Sequence, residues 1–376
     1  MFLKAERIHN GKQYLPPNTA IELSDDGEVK AIHEAYEGAA QCYEGTLCPA
    51  FVNAHCHLEL SHLKGVIPKH TGLIAFLQQV MKCRNQFSET EKALARQKAF
   101  DAMYARGVIA VGDIANTTDT LSLAASSPMY IHTFVEAIGF HPEVAERNRD
   151  FSLRVWNAFH TVKSTQLSLT PHAPYSVSQP LFTLIDAFDK HSLLSIHNQE
   201  CAAEDEFFKY KTGAVNQLLE GLQITTDHFV PSGKSSLQTY SAWISKSHPL
   251  LLVHNSFSQK EDVRYIIQQF PQVYFCLCPN ANLYIENTLP DVPMLLQEGA
   301  VICIGTDSLA SNDALDIYAE LETLHQRFGI DWEQLLTWAT FNGAKALQLD
   351  SIIGSIEPGK RPGIIHLANG EVQRVL

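Results

Sequence analysis

Eight short apolar runs punctuate the chain between residues 49 and 307. They are Pro49 to His55, Gly107 to Ile114, Tyr130 to Gly139, Leu167 to Tyr175, Leu193 to Glu200, Leu250 to Phe257, Val273 to Pro279 and Ala300 to Asp307. Most are apolar on both faces, the pattern of buried parallel strands. Between them the period shifts toward 3.6. In GLIAFLQQVMKCR, Leu73, Phe76, Leu77, Val80 and Met81 form one helical stripe. SETEKALARQKAFDAMYARG opens with Ser88 and Glu91 at capping-box spacing and stops at Gly107. Eight strands alternating with helices predict an α/β fold, a (β/α)8 TIM barrel. The alternative is a doubly wound open sheet. That fold more often brings a Gly-rich phosphate loop after its first strand, and none is present.

The two ends read differently. Residues 1–47 hold short strand-like pieces broken by PPNT and SDDGE, and the C-terminal GSIEPGKRPGIIHLANGEVQRVL is punctuated the same way. Neither end can bury a core alone. Residues 1–47 plus 344–376 are therefore expected to pair into one small β-rich domain beside a barrel of residues 48–343.

A parallel barrel keeps its active site at the C-terminal ends of the strands. His55 and His57 end the first run in PAFVNAHCHLELS, and alternation points both the same way. A lone H-x-H is as readily a pair of ordinary polar residues as a metal site. His172 ends the fourth run, His197 the fifth with Glu200 just beyond, His254 the sixth and Asp307 the eighth. So many strand-end polar groups are hard to explain as ordinary polar residues. Three imidazoles and a carboxylate are what Zn²⁺ or Fe²⁺ takes while keeping room for water. Such an ion lowers the pKa of its water to about 7 in favourable zinc sites. Glu200 beside His197 could then move protons, although a helix-start acid is its alternative role.

Composition narrows the setting. The chain has 376 residues, and its net charge of -13 repels phosphate backbones, which argues against nucleic acid as a partner. No apolar run is long enough to span a bilayer. The N-terminal MFLKAERIHNG lacks the apolar core of a signal peptide, so a cytoplasmic location is expected. The 8 cysteines include no CxxC pair and read as reduced core residues. The expected partner is a small-molecule substrate. The oligomeric state stays open, with a homodimer as one option.

Taken together, the motifs resemble the amidohydrolase superfamily, in particular its cytosine deaminase, guanine deaminase and chlorohydrolase-like branch. PAFVNAHCHLELS resembles the first-strand H-x-H segment, HNQE the fifth-strand H-x-x-E, VHNSF the sixth-strand histidine and CIGTDSLASND the eighth-strand aspartate. CPNANLYIE is similar to a C-P-x-S-N segment, with Ala281 in place of Ser. The tail resembles G-x-I-x-x-G-K-x-A-D-L-V but carries Pro362 and Gly363 where Ala-Asp is usual.

The resemblance implies that His55, His57, His197 and Asp307 bind one divalent metal ion, Zn²⁺ ahead of Fe²⁺. It implies that Glu200 shuttles protons, that His254 bonds the nucleophilic water or the tetrahedral intermediate, and that Asp307 is also a base. The fourth strand lacks the lysine of two-metal relatives, which points to a single metal. PHAPYS, with His172, resembles branches that deaminate adenine-type nucleosides, S-adenosylhomocysteine and aminodeoxyfutalosine deaminases among them. The implied activity is a hydrolase of non-peptide carbon–nitrogen bonds, a deaminase of a 6-aminopurine nucleoside derivative. Candidate substrate contacts are His172, Glu59, Glu136 and Asn312, the last two equally readable as structural. His62, His132 and His141 are assigned to the surface or to local structure. A chlorohydrolase or imidazolone-type hydrolase on the same scaffold is the alternative, and a non-catalytic barrel relative is a further one.

Overall fold

Four short strands open the chain: β1 (Phe2–Ile8), β2 (Ala20–Leu23), β3 (Val29–His33) and β4 (Gln41–Pro49). They come from a computed structural model, which describes residues 1–162 and 165–376. Each of the eight apolar runs follows as a strand: β5 (Phe51–Cys56), β6 (Val108–Ala115), β7 (Tyr130–Ala137) and β8 (Thr165–Pro171), then β9 (Leu194–Asn198), β10 (Leu250–His254), β11 (Val273–Leu277) and β12 (Val301–Ile304). Two more, β13 (Ile364–Ala368) and β14 (Glu371–Arg374), close the chain.

Strands β5 to β8 form one parallel half-barrel and β9 to β12 the other. The halves join at two seams. At one, the backbone N–H groups of Thr306 and Asp307 donate to the His55 carbonyl at 3.0 and 3.2 Å. At the other, His197 N–H donates to the His172 carbonyl at 3.0 Å. Closure of the barrel is thus what brings the strand-end polar residues together. The strand interiors are dry on both faces: Leu250, Leu251, Leu252 and Val253 of β10 are all fully buried. Each such side chain is worth about 1.5–3 kcal/mol of transfer free energy.

Several strands stop earlier than their apolar runs. Strand β9 ends at Asn198 because Gln199 adopts a left-handed φ of 45°, and Asp307 follows β12 at φ 56°. Such a residue turns the chain out of the strand direction, although Asp307 still makes a lone parallel bridge to Cys56. Strand β8 ends at Pro171, and Pro174 opens a 3₁₀ turn. His172, Glu200 and Asp307 therefore sit on the loops just past their strands.

The helix Leu73–Cys83 buries Leu73, Phe76 and Val80. The helix Glu89–Ala105 begins with the expected capping box: Ser88 N–H donates to the Glu91 carboxylate at 2.8 Å, and Ser88 Oγ accepts from Glu91 N–H. Gly107 follows it at φ 85°. Both chain ends supply one six-stranded sheet, ordered β14-β13-β4-β1-β2-β3. Leu3, Ile21, Leu47 and Ile364 fill its apolar side. Gly363, at the departure from the family tail, has φ 60°, and a Cβ there would lie 2.9 Å from Ile109 Cδ1. Among the described residues, no helix is long and apolar enough to cross a membrane.

Candidate active site

His57, His172, His197, His254 and Asp307 line one cavity of about 460 Å³, with His55 buried just behind them. His57 Nε2 lies 3.1 Å from both His55 Nε2 and His197 Nε2. Asp307 Oδ1 lies 3.6 Å from His55 Nε2 and 3.4 Å from His57 Nε2. His55, His197, His254 and Asp307 offer ligand atoms all within 4.8 Å of one another. Burial lowers the histidine pKa values, to about 4 for His55 and His197 and about 3 for His57, so the rings are neutral at pH 7. Burial alone would raise the Asp307 pKa. The His55 hydrogen bond and the neighbouring histidines outweigh it and hold the carboxyl well below the usual range.

Hydrogen bonds distinguish the rings. His197 Nδ1 lies 2.8 Å from the His172 carbonyl oxygen, which can only accept. Nδ1 therefore carries the hydrogen, and a bare Nε2 faces the cluster, the arrangement of a metal-binding histidine. His254 is the reverse case. The Asn282 amide donates to its Nδ1 at 3.1 Å, so the neutral ring carries its hydrogen on Nε2, 3.5 Å from Glu200 Oε1. His254 thus offers a donor beside the cluster. The nitrogens and carboxylate that remain suit a divalent metal ion, with the neutral imidazoles and ionised carboxylate that binding requires. His254 and Asp307 also share left-handed φ values of 73° and 56°. For non-glycine residues this costs about 1–3 kcal/mol each, and such strain concentrates at functional sites.

Glu200 lines the same floor. Burial first, then the charges of Asp307, Glu204 and Glu286, raise its pKa well above the usual value. Its proton is therefore held to a higher pH than an ordinary glutamate's, which suits a general acid.

The expected substrate contacts divide. His172 lines the cavity, with Nδ1 bonded to Ser176 Oγ at 2.7 Å. Glu59 and Glu136 also line it, bridged by Asn116, whose N–H donates to Glu59 at 3.1 Å and whose amide donates to Glu136 Oε2 at 3.0 Å. Glu136 Oε1 is buried without a hydrogen-bond partner, and burial lifts its pKa to about 8. Asn312 does not join them. Its amide donates to the Thr306 carbonyl at 2.9 Å and to Glu320 Oε1 at 2.7 Å, beside a separate cavity of about 350 Å³. The loop from Ser308 to Ser311 carries it away from the floor, and its role is to hold that loop. One of the set-aside histidines differs from expectation, and the other two take local structural roles. His141 lines the active cavity, and His132 is buried, bonded to Gln166 and Ser168. His62 bonds the Arg84 carbonyl, a local role. Arg84, Asn116 and Asn282 were not singled out in the sequence. Asn116 ends the GVIAVGDIAN run as the histidines end theirs, and that signal was available.

Residues 46–375 match the amidohydrolase family as a whole. The chain belongs to the amidohydrolase family. Among curated proteins, this amidohydrolase is 29% identical over 338 residues to an adenosine deaminase of Helicobacter pylori, covering 86% of this chain and 79% of that one. Its fold superposes on H. pylori aminofutalosine deaminase in complex with methylthio-coformycin, with a TM-score of 0.82, 24% identity, and coverage of 98% and 92%. It also superposes on a Xanthomonas campestris adenosine deaminase solved with bound zinc, with a TM-score of 0.71, 20% identity, and coverage of 97% and 83%.

Proposed function

We propose that this amidohydrolase deaminates 6-aminopurine nucleoside derivatives, aminodeoxyfutalosine-type compounds first and adenosine or S-adenosylhomocysteine types second. One observation carries the reading. His57 Nε2 lies 3.1 Å from both His55 Nε2 and His197 Nε2 and 3.4 Å from Asp307 Oδ1, on the cavity that is also lined by Glu200, a buried carboxyl whose pKa burial raises well above the usual value. The kinship with a curated adenosine deaminase supports it.

In this reading His55, His57, His197 and Asp307 hold one divalent ion, Zn²⁺ ahead of Fe²⁺. Such an ion supplies the charge that makes a water acidic near pH 7. His197 has a single bare nitrogen, because its other nitrogen is committed to the His172 carbonyl. That favours one metal over two, even though Glu136, His172 and His197 form a second close trio. Asp307 orients the attacking water and takes its first proton. Glu200 protonates the ring nitrogen beside the reacting carbon, and returns a water proton to the departing amine. The His254 Nε2–H donates to the oxygen that develops negative charge, as an oxyanion donor does. His172 and Glu136, whose Oε1 makes no hydrogen bond and lies 3.4 Å from His197 Nδ1, bond a ring nitrogen or sugar hydroxyls.

The test is ammonia release, measured with purified, metal-loaded protein on aminopurine nucleosides, guanine, cytosine and a chlorinated heterocycle. Release from the aminopurine nucleosides is the expected result. No ammonia from any aminopurine, with chloride released from the heterocycle, would overturn the deaminase reading.

A further inference from the structure

Gln199 stands between His197 and Glu200 in H-N-Q-E, yet it does not line the cavity. It is 1% exposed, and each of its polar groups is bonded. Its N–H donates to Glu204 Oε1 at 3.0 Å, and its carbonyl accepts from Phe257 N–H at 2.9 Å. Its side-chain amide nitrogen donates to Asp262 Oδ2 at 2.8 Å and Asp205 Oδ1 at 3.3 Å. Its amide oxygen accepts from Ser258 Oγ at 2.6 Å and Asn198 Nδ2 at 3.4 Å. The amide has one permitted orientation, since a flip would set its oxygen against two carboxylates.

Gln199 also sits at φ 45°, a conformation that a long side chain keeps only where the surroundings over-determine it. Phe257 and Ser258 belong to the loop after β10, which carries His254. Glu204 and Asp205 belong to the helix that follows Glu200. We infer that Gln199 is a positioning residue that clamps the Glu200 loop to the His254 loop, and so sets the 3.5 Å separation of Glu200 Oε1 and His254 Nε2. The inference rests on the proposed roles of those two side chains. It also assigns a task to Asp262, a buried carboxylate outside the cavity.

The experiment compares the parent with Gln199→Gly, Gln199→Glu and the double variant Gln199→Glu/Asp262→Asn. Glycine keeps the left-handed backbone and its two main-chain bonds and removes the side-chain part of the clamp. Glutamate keeps the shape but turns an oxygen toward Asp262. The double variant restores a donor–acceptor pair, because Asp262 Oδ1 already accepts from Ser235 and Gln238 while Oδ2 faces Gln199. Both single variants should lose about a hundredfold in kcat, the scale of an ångström of misplacement. KM should stay within about threefold and metal content near the parent value. The double variant should recover about tenfold over Gln199→Glu. Crystal structures of the parent and of Gln199→Glu should show the Glu200–His254 contact opened in the variant. Full kcat in both single variants would overturn the inference. So would a joint fall of kcat, KM quality and metal content without rescue. If the parent releases no ammonia from any nucleoside, the deaminase reading fails separately. The clamp is then judged by the Glu200–His254 separation, and an unchanged contact in Gln199→Glu overturns it.

Discussion

Gly305 follows β12 and precedes Asp307 by two residues, at the seam where the barrel closes. A Cβ built there would lie 2.9 Å from Cys276 Sγ, from His55 Cβ and from the His55 carbonyl oxygen. Ordinary contact begins at 3.4 Å, so Gly305→Ala must push β5 and β12 apart by about half an ångström. The Cys276 sulfur can yield, but the His55 backbone cannot without moving its ring. His55 and Asp307 are both proposed ligands, and metal sites tolerate only about 0.2 Å in their distances. We expect metal affinity to fall by about ten- to a hundredfold. The general overpacking cost should be about 1–3 kcal/mol. Gly343→Ala separates the two effects. Its Cβ would meet Val52 Cβ at 2.8 Å, a comparable clash against β5 away from the histidines. Both variants should lose thermal stability in metal-free form. Only Gly305→Ala should release metal at lower chelator concentration, read by elemental analysis after dialysis against a chelator series. Equal retention by Gly305→Ala and the parent would refute the argument, as would equal loss by Gly343→Ala.

Three further outcomes follow from the site and the fold. Purified protein should hold about one transition metal per chain, lose activity on prolonged chelation and regain it on metal return, and two metals per chain by elemental analysis would contradict the single-ion reading. Glu200→Gln should lose about a hundred- to ten-thousandfold in turnover while keeping its metal, and metal loss instead would make Glu200 a ligand. His132 is buried away from the cavity, and burial lowers its pKa from 6.5 to about 4. The unfolded chain therefore binds the proton first, so the stability contributed by neutral His132 is present above pH 6.5 and lost as pH falls toward 4. Urea unfolding of the parent against His132→Gln should show the parent's relative stability shrinking by about 3 kcal/mol from pH 7 to pH 4, and a difference flat with pH would contradict it.

The sequence was most legible where chemistry coincides with local period. All eight barrel strands are apolar runs, and a buried parallel strand needs no partner information to be recognised. The polar residue that ends such a run stands out against it, which is why His55, His172, His197, His254 and Asp307 could be named. Strand ends were less legible. The chain turns at left-handed Gln199, His254 and Asp307, and the preference of histidine and aspartate for that conformation is too weak to place a strand end, while glutamine has none.

What escaped is the layer that holds the named residues in place, and its bonds span long sequence distances. Asn116 reaches Glu59 across 57 residues and Glu136 across 20. Gln199 reaches Asp262 across 63 and Ser258 across 59. Asn312 shows the converse error: it lies five residues past Asp307, so it looked like part of the floor, yet its amide is spent on Thr306 and Glu320. Side chains that meet the reacting atoms are constrained by chemistry, and residue type reports that constraint. Side chains that aim them are constrained by geometry alone. An amide at position 199 therefore carries no message until the barrel has closed and brought Asp262 to one end of it and Ser258 to the other.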